Sequence, residues 1–533
     1  MNQNVDVDVD VVIVGAGPVG LAAGLLLSQF GIAGSVLERR TVRNHHPKAR
    51  GIRLRASELA KLWGLDDRLR AAAMPSETHR FIYTETLAGE EIARTETMSS
   101  LDGSWSSTHP YRVPQDLLER VLETRLSESS LVNLDVGVSV ESISQNESGV
   151  DLQIRGVTRR SARLRAKYVI LADGVGSSLR NALGVSFGSD TPAPYWQSIY
   201  WHGDLAKWTA GRPAIMYYTR SGGSGGLVGV APAGGDNRWV TIVQNPPSQE
   251  RPPKLSTDEA ISAIRQAVGV SDLQVEVLSS ETFRISADVA SSYRAGRVFL
   301  AGDTAHSLPP TGGFGINTGF ADVHNLVWKI AMVLRGSAPD ALLDTYDTER
   351  RPIALSNASW SLGNAKRFVS VKAALVADDR DTLRRLLQDQ QKHVDPVEQD
   401  LGFSYASGSE PSDVAYRTLT LGARAPHATV VAGDRTVSTL ELFDGAMTVL
   451  LGGPDSPWRT AVPDGVTIRV VGEDLVGGDG LLAERYQLGA NGAAIVRPDG
   501  HVAWLVHTAA GDLNSQFDAA WAATLRNGIA AGV

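Results

Sequence analysis

The sequence predicts an α/β protein: a doubly wound nucleotide-binding domain, a β-rich insertion within it, and a smaller α/β domain after it. Three observations predict this class. A β-branched run, Val9 to Val14, leads directly into Gly15-Ala-Gly17-Pro18-Val-Gly20 and then into an apolar helical pattern. Between about 185 and 290, segments rich in Tyr, Trp, Val and Ile alternate with Gly/Pro turns. At 533 residues the chain also exceeds one ordinary domain.

The elements follow in order. Residues 18–30 (PVGLAAGLLLSQF) read as a helix and residues 35–38 as a second strand, a βαβ opening. Residues 55–73 and 114–128 carry amphipathic helical patterns, the latter with Pro114 in a first-turn position where its missing N–H costs nothing. Residues 132–172 alternate as strands that return to the core sheet. After the β-rich segment, YRAGRVFLAGD (293–303) is another strand, followed by a Gly/Pro loop and a helix to about 335. Residues 339–392 are helical and charge-laced. YASGSEPSDVAY (405–416) has the composition of a linker, which predicts that the part after about 415 is separable. The expected domains are 1–184 with 285–400, 185–284, and 417–533.

Composition excludes several classes. Apolar residues make up 43% and charged residues 21%, as in a globular protein with a sizeable core. A net charge of −8 without any Lys/Arg-rich run speaks against nucleic acid as a partner. The chain has no cysteine, which removes disulfides, iron–sulfur clusters, thiolate zinc sites and cysteine nucleophiles. No metal-ligand spacing, HExxH or GxSxG occurs. Without a signal-like N-terminus or an apolar run of the roughly 18–20 residues a span needs, a cytoplasmic protein with no membrane contact is expected.

Three motifs carry chemistry. In the first, GxGxxG follows a strand and opens a helix, and Glu38 ends the next strand 18 positions after Gly20. That is the context of a Rossmann-like dinucleotide fingerprint: a tight turn, pyrophosphate at the helix N-terminus, and an acid for a ribose hydroxyl. The second, Asp173-Gly174-Val-Gly-Ser177-Ser-Leu-Arg180, follows the strand YVILA; it also reads as a turn with Ser177 capping a helix. In the third, Asp303 ends a strand and the loop after it brings Gly312-Gly313-Phe-Gly315 to the head of a helix. Consecutive backbone N–H groups there stabilise an anion, and the glycines admit a flat ligand onto the backbone. A carboxylate beside such a nest suits a ligand with a sugar-like chain and a ring that acquires negative charge, which is the shape of a flavin. His306 reads as a core or turn histidine, and His45 and His46 as surface residues.

In this order the three motifs resemble those of the single-component FAD-dependent aromatic hydroxylases, closest to the phenol-hydroxylase-like branch with its polyketide-tailoring members. HPKA (46–49), RASE (55–58), WGL (63–65), VPQDLLERVL (113–122), LGFSYASGS (401–409) and RPDGHVAW (497–504) match as well, so the resemblance covers nearly the whole chain. It implies non-covalent FAD, NADPH or NADH and O2 as co-substrates, and hydroxylation of a phenolic ring through a flavin C4a-hydroperoxide. By that resemblance Gly15, Gly17, Pro18, Gly20, Glu38 and Arg39 hold the ADP half. Lys48 stands where many members have an arginine near the pyrophosphate, and Gln115 lies near the ribityl side. Asp173 and Gly174 serve both FAD and NAD(P)H, and Asp303 binds the ribityl chain. Pro310, Gly313, Gly315, Ile316 and Asn317 contact the flavin, with Pro309, Gly312, Gly313 and Arg50 nearest the chemistry. Arg50 replaces the catalytic aspartate of phenol hydroxylase.

The resemblance also implies a thioredoxin-like C-terminal domain; without cysteine it has no dithiol chemistry, leaving a structural role or homo-oligomerisation. Trp196, Tyr200 and Tyr217, amid the aromatics of the insertion, read either as a stacking pocket for a polycyclic aromatic substrate or as ordinary sheet residues. Baeyer–Villiger or rearrangement chemistry on the same scaffold, and a flavoprotein that only shields a reactive intermediate, are the alternative functions.

Overall fold

The computed structural model describes residues 7–75, 78–97, 103–156, 161–188, 193–222, 226–248, 250–406, 408, 410–443, 445–477 and 480–530. Ser407 and Ser409 of the linker lie outside the described residues.

Of the five sheets in the described residues, three organise the fold. In the first, β-branched runs buried on both faces pair in parallel. Val7–Val14 lies between Gly34–Glu38 and Ala162–Leu171, and Val298–Leu300 adds to the far side of Ala162–Leu171. Strands from residues 7 to 300 thus share one sheet, although nearly three hundred residues separate the outermost. The helix Pro18–Gln29 packs on it, its small residues allowing close approach: a Cβ at Gly24 would lie 2.9 Å from Val36.

The second sheet, in the described residues, runs Glu276–Arg284, Ala193–His202, Arg238–Ser248, Gly226–Pro232, Met216–Gly222, Phe81–Thr84, Glu91–Arg94. Two strands thus come from outside the 185–284 segment. Phe81–Thr84 pairs in parallel with Met216–Thr219, a non-local pairing that local pattern does not reveal. The insertion also contains a helix, Thr257–Val268, which starts with a capping box between Ser256 and Glu259. The stretch 55–73 is two helices, Leu54–Leu62 and Asp66–Ala72, because Gly64 takes φ +73° between them.

The third sheet, Thr467–Val470, Thr448–Leu451, Ala493–Val496, Val502–Val506, belongs to the C-terminal part. Its core is shared. Trp328 and Leu342 of the first domain are buried with Trp458, Trp504 and Phe517. Arg497, fully buried, pairs with Glu349 at 2.6 Å, and Arg424 pairs with Glu58 at 2.8 Å. Tyr405 of the linker stacks on His501 at 4.3 Å. The shared core speaks against the separability that linker composition suggested: residues 405–416 join two bodies with a common core. No described helix is long and apolar enough to cross a membrane, and no described cluster of acidic, histidine or cysteine side chains could hold a metal.

Candidate functional site

The parallel strands all end on one side, where open α/β sheets bind ligands. Backbone bonds fix the three ends relative to one another: Gly15 donates to the Leu37 carbonyl (2.8 Å), Ala172 to Val14 (2.8 Å) and Ala301 to Leu171 (2.9 Å). The first, second and third motifs therefore meet at one edge.

Each glycine of the first motif has its own reason. Gly15 takes φ +103°, and a Cβ there would lie 2.4 Å from the Ala172 carbonyl oxygen. A Cβ at Gly20 would lie 1.9 Å from the Gly15 oxygen, so Gly20 faces into the turn and does not line the cleft. Gly17 is different: its φ is −70°, a Cβ would meet no protein atom within 4 Å, and it caps the helix Pro18–Gln29 facing the cleft. This yields a prediction. Gly17→Ala should fold with a small loss of melting temperature yet bind FAD at least about tenfold more weakly, because the methyl occupies ligand space; Gly20→Ala should lose the fold and flavin together. Equal FAD affinity of Gly17→Ala and wild type, measured by flavin fluorescence titration, would disprove this role. Glu38 accepts from the Ala16 amide (3.0 Å) through Oε2 and from the Arg40 amide (2.9 Å) through Oε1. A carboxylate retains acceptor capacity beyond two bonds, so a ribose hydroxyl fits beside it.

The second and third motifs are joined by Thr304, whose Oγ1 donates to Asp173 Oδ1 (3.2 Å) and accepts from the Gly174 amide (2.9 Å). Burial raises the Asp173 carboxyl, and its hydrogen bonds oppose the shift. Asp303 sits on the turn Gly302–Thr304, with Oδ1 3.8 Å from where a Gly315 Cβ would lie. Protein surrounds its carboxyl while the cleft leaves it open to solvent; burial raises its pKa, and His306 and Lys48 pull it back down.

The glycine loop is held from behind. Gly313 takes φ +66°. Arg53 donates from Nη1 to the Gly312 carbonyl (2.7 Å) and from Nε to Asp400 (2.6 Å). Asn317 Oδ1 accepts from the Arg53 amide (2.8 Å), and its Nδ2 donates to the Gly313 carbonyl (2.6 Å). Asn317 is thus a buried staple of the loop and is absent from the cleft wall, which corrects its expected contact with the ligand. Arg53 had no distinguishing signal in the sequence, since its partners lie hundreds of residues away.

One cleft of about 1380 Å³ runs along these edges. Gly15, Gly17, Pro18, Glu38, Arg39, Lys48, Arg50, Gln115, Asp173, Gly174, Asp303, Pro309, Pro310, Gly312, Gly313, Gly315 and Ile316 all line it. Gln115 is tied to the stretch before it by its amide, which donates to the Ala49 carbonyl (2.8 Å). The second sheet forms the opposite wall with Tyr195, Met216, Tyr218, Val240, Ile242 and Phe283.

The expected aromatic trio does not line this wall. Tyr217 alternates to the other face of its strand, into a core with Ile199 and Trp201, its hydroxyl donating to the Arg212 carbonyl. Tyr200 is buried, accepting from Arg238 (3.2 Å), and Trp196 packs edge-on against Phe283 at 6.4 Å. Met216 and Tyr218, one residue to either side of Tyr217, face the cleft. His46 is not a surface residue either: it is buried between Ser279 (2.7 Å) and Ser198 (2.8 Å), and burial pushes its pKa down to about 4. His306 is a core histidine, bonded to Asp322 at 2.8 Å.

A dinucleotide fingerprint and a glycine nest around one cleft, with the second sheet across from them, define a flavoenzyme. Residues 8–361 match the FAD binding domain family, and residues 418–525 the aromatic-ring hydroxylase C-terminal family. The chain belongs to the FAD-dependent aromatic-ring hydroxylases, and it is a flavin-dependent hydroxylase of aromatic compounds with FAD as cofactor. Among curated relatives, the tetracenomycin A2 monooxygenase-dioxygenase of Streptomyces glaucescens is 32% identical, over 95% of this chain and 96% of its own. Among solved structures, the flavin-dependent monooxygenase PieE in complex with FAD and substrate superposes with a TM-score of 0.90, at 28% identity, over 98% of this chain and 100% of that one. A ternary complex of aklavinone-11 hydroxylase with FAD and aklavinone gives 0.80, at 27% identity, over 98% and 99%.

Proposed function

We propose that this protein uses NADPH or NADH and O2 to hydroxylate a polycyclic phenolic or quinonoid ring of the polyketide type. The observation that carries the reading is the wall opposite the glycine loop, where Met216, Tyr218, Val240, Ile242 and Phe283 present a broad apolar face across from Gly312–Gly315. The relatives named for tetracenomycin A2 and aklavinone support a flat polycycle. In this reading residues 1–184 and 285–400 hold FAD, 185–284 with the strands at 81–94 cover the substrate, and 417–533 buttress both.

Gly15, Gly17 and Glu38 hold the adenosine diphosphate half, and Asp303 the ribityl chain. When bound and reduced, FAD would supply the activation of O2, one oxygen atom going to the ring and the other to water. The chain's own contribution is placement. The N–H groups at the head of helix Gly315–Leu334 would stabilise negative charge developing on the flavin, and the apolar side chains of the opposite wall would exclude water.

The test compares NAD(P)H oxidation and product mass for phenol and for a hydroxylated anthraquinone. The polycycle should stimulate oxidation and gain one oxygen atom, carried from 18O2. Efficient hydroxylation of phenol with the polycycle inert would overturn the substrate class. The flavin should also pass into the supernatant on acid precipitation, since the chain has no cysteine to bond it; flavin remaining in the denatured pellet would show a covalent link.

A further inference from the structure

The turn Gly302–Thr304, which carries Asp303, is clamped from behind by helix Gly315–Leu334. Gly302 takes φ +58°, and a Cβ on Gly319 would lie 3.0 Å from the Gly302 Cα, so the helix presses directly on the turn. Asp322 closes this contact. It is fully buried, and its Oδ2 accepts from the Gly302 amide (3.3 Å) and from His306 Nε2 (2.8 Å). One carboxylate oxygen thus grips the chain on either side of Asp303. Its Oδ1 accepts from Arg350 Nε (3.0 Å). Burial opposes ionisation of Asp322, yet His306 and Arg350 hold its carboxyl below the ordinary aspartate range, so it acts only as an acceptor.

Arg350 connects this grip to the C-terminal domain. Its buried guanidinium also donates to the Thr318 carbonyl (3.4 Å) and, from Nη1, to the Tyr405 hydroxyl (3.2 Å). The C-terminal domain sets the Tyr405 ring, which stacks on His501 (4.3 Å) and lies 5.1 Å from the Arg497 guanidinium. A second connection runs beside the first. Tyr346, about one helical turn before Arg350, donates from its hydroxyl to the Leu300 carbonyl (2.6 Å), at the end of the strand that leads into the turn. Glu349, between them in sequence, takes Arg497 at 2.6 Å. The start of helix Thr345–Val376 therefore holds the Asp303 turn on one side and the C-terminal domain on the other. Asp322, Arg350 and Tyr405 do not line the cleft, so their effect on a ligand there passes through the turn. A hydrogen bond weakens steeply when its acceptor is misplaced, and a carboxylate on a short turn serves as a ligand only if the turn is fixed.

We propose that Asp322, Arg350 and Tyr405 are positioning residues for the cofactor, through which the C-terminal domain sets the Asp303 carboxylate at the cleft. The domain is then a working part of the flavin site as well as a buttress. This rests on the reading of Asp303 as the ribityl ligand and deepens it.

The experiment measures FAD dissociation constants from the flavin fluorescence released on diluting full-length holoenzyme, with thermal unfolding of the same samples. Tyr405→Phe keeps the ring on His501 and removes only the hydroxyl; it should weaken FAD binding about three- to tenfold with little change in unfolding temperature. Arg350→Lys keeps the charge but cannot reach Asp322, Thr318 and Tyr405 together, and should weaken FAD binding about tenfold or more. In an Asp303→Ala background each substitution should change the affinity by less than about twofold, because the group they position is gone. Phe517→Leu loosens the shared core away from these contacts; it should lower the unfolding temperature and leave the affinity within about twofold of wild type. A merely structural role gives another pattern: undiminished weakening in the Asp303→Ala background, or equal weakening from Phe517→Leu. Either result overturns the proposal. Unchanged affinity of Tyr405→Phe overturns it too, and decides the matter if Arg350→Lys does not fold. If Asp303→Ala itself leaves FAD affinity unchanged, the reading of Asp303 falls and the proposal with it. A weakened Asp303→Ala beside an unaltered Tyr405→Phe sinks the proposal alone.

Discussion

Deletion of residues 418–533 should yield no folded, flavin-containing protein. Trp328 and Leu342 would lose Trp458, Trp504 and Phe517, each exposure costing about 1.5–3 kcal/mol. Glu349 would lose Arg497, which holds it at 2.6 and 2.8 Å, and keep only Lys329 (2.8 Å) and Asn325 (2.6 Å). Removing one member of a buried ion cluster costs about 3–5 kcal/mol. Together these losses approach the whole stability of a typical domain, about 5–15 kcal/mol. At full length, Arg497→Ala should lower the unfolding midpoint by an amount matching about 3–5 kcal/mol. A soluble, yellow 1–417 fragment would show that the shared core is dispensable.

Asp303→Ala should weaken FAD binding by about ten- to a hundredfold, the value of a charge-assisted hydrogen bond of about 1.5–3 kcal/mol. The ionised carboxylate is the form that accepts from a ribityl hydroxyl. Burial raises its pKa in the flavin-free protein, so affinity should be full well above that value and fall as pH drops through it, at a higher pH than for an ordinary aspartate. Asp303→Asn should lack this pH dependence. His306→Ala should act differently. It removes the 2.8 Å bond to Asp322, which Arg350 also holds at 3.0 Å in a fully buried cluster, and so lowers stability more than FAD affinity. Flavin titration and thermal unfolding of both variants separate the two effects; identical profiles would mean that Asp303 is structural.

Several features were legible because their cause is local. GxGxxG between strand and helix, Glu38 at the next strand end, and Gly312 to Gly315 at a helix head each state their backbone geometry within a few residues. Their convergence needed only the rule that parallel strands end on one side. The capping box at Ser256 and Glu259 was equally local and went unread.

The rest depended on register and on distant partners. Tyr217 and Tyr218 are neighbours of the same type, and pairing with Phe81–Thr84 on one side and Gly226–Pro232 on the other decides which of them faces the cleft. A shift by one residue would exchange them, because side chains alternate with period two. Asn317 read as a ligand contact until the Arg53 amide and the Gly313 carbonyl claimed its side chain. Residues 405–416 read as a linker by composition, but Tyr405 stacked on His501 is invisible to composition.

The sequence by itself determined the cofactor class, the βαβ frame and the order of the motifs, since these are carried by glycines and carboxylates whose role is set by the nearest backbone. Only the tertiary structure decided which side chains of the second sheet line the cleft and that the C-terminal domain shares the core. Those outcomes depend on contacts between residues hundreds of positions apart, where burial and pairing, not local pattern, set the energy.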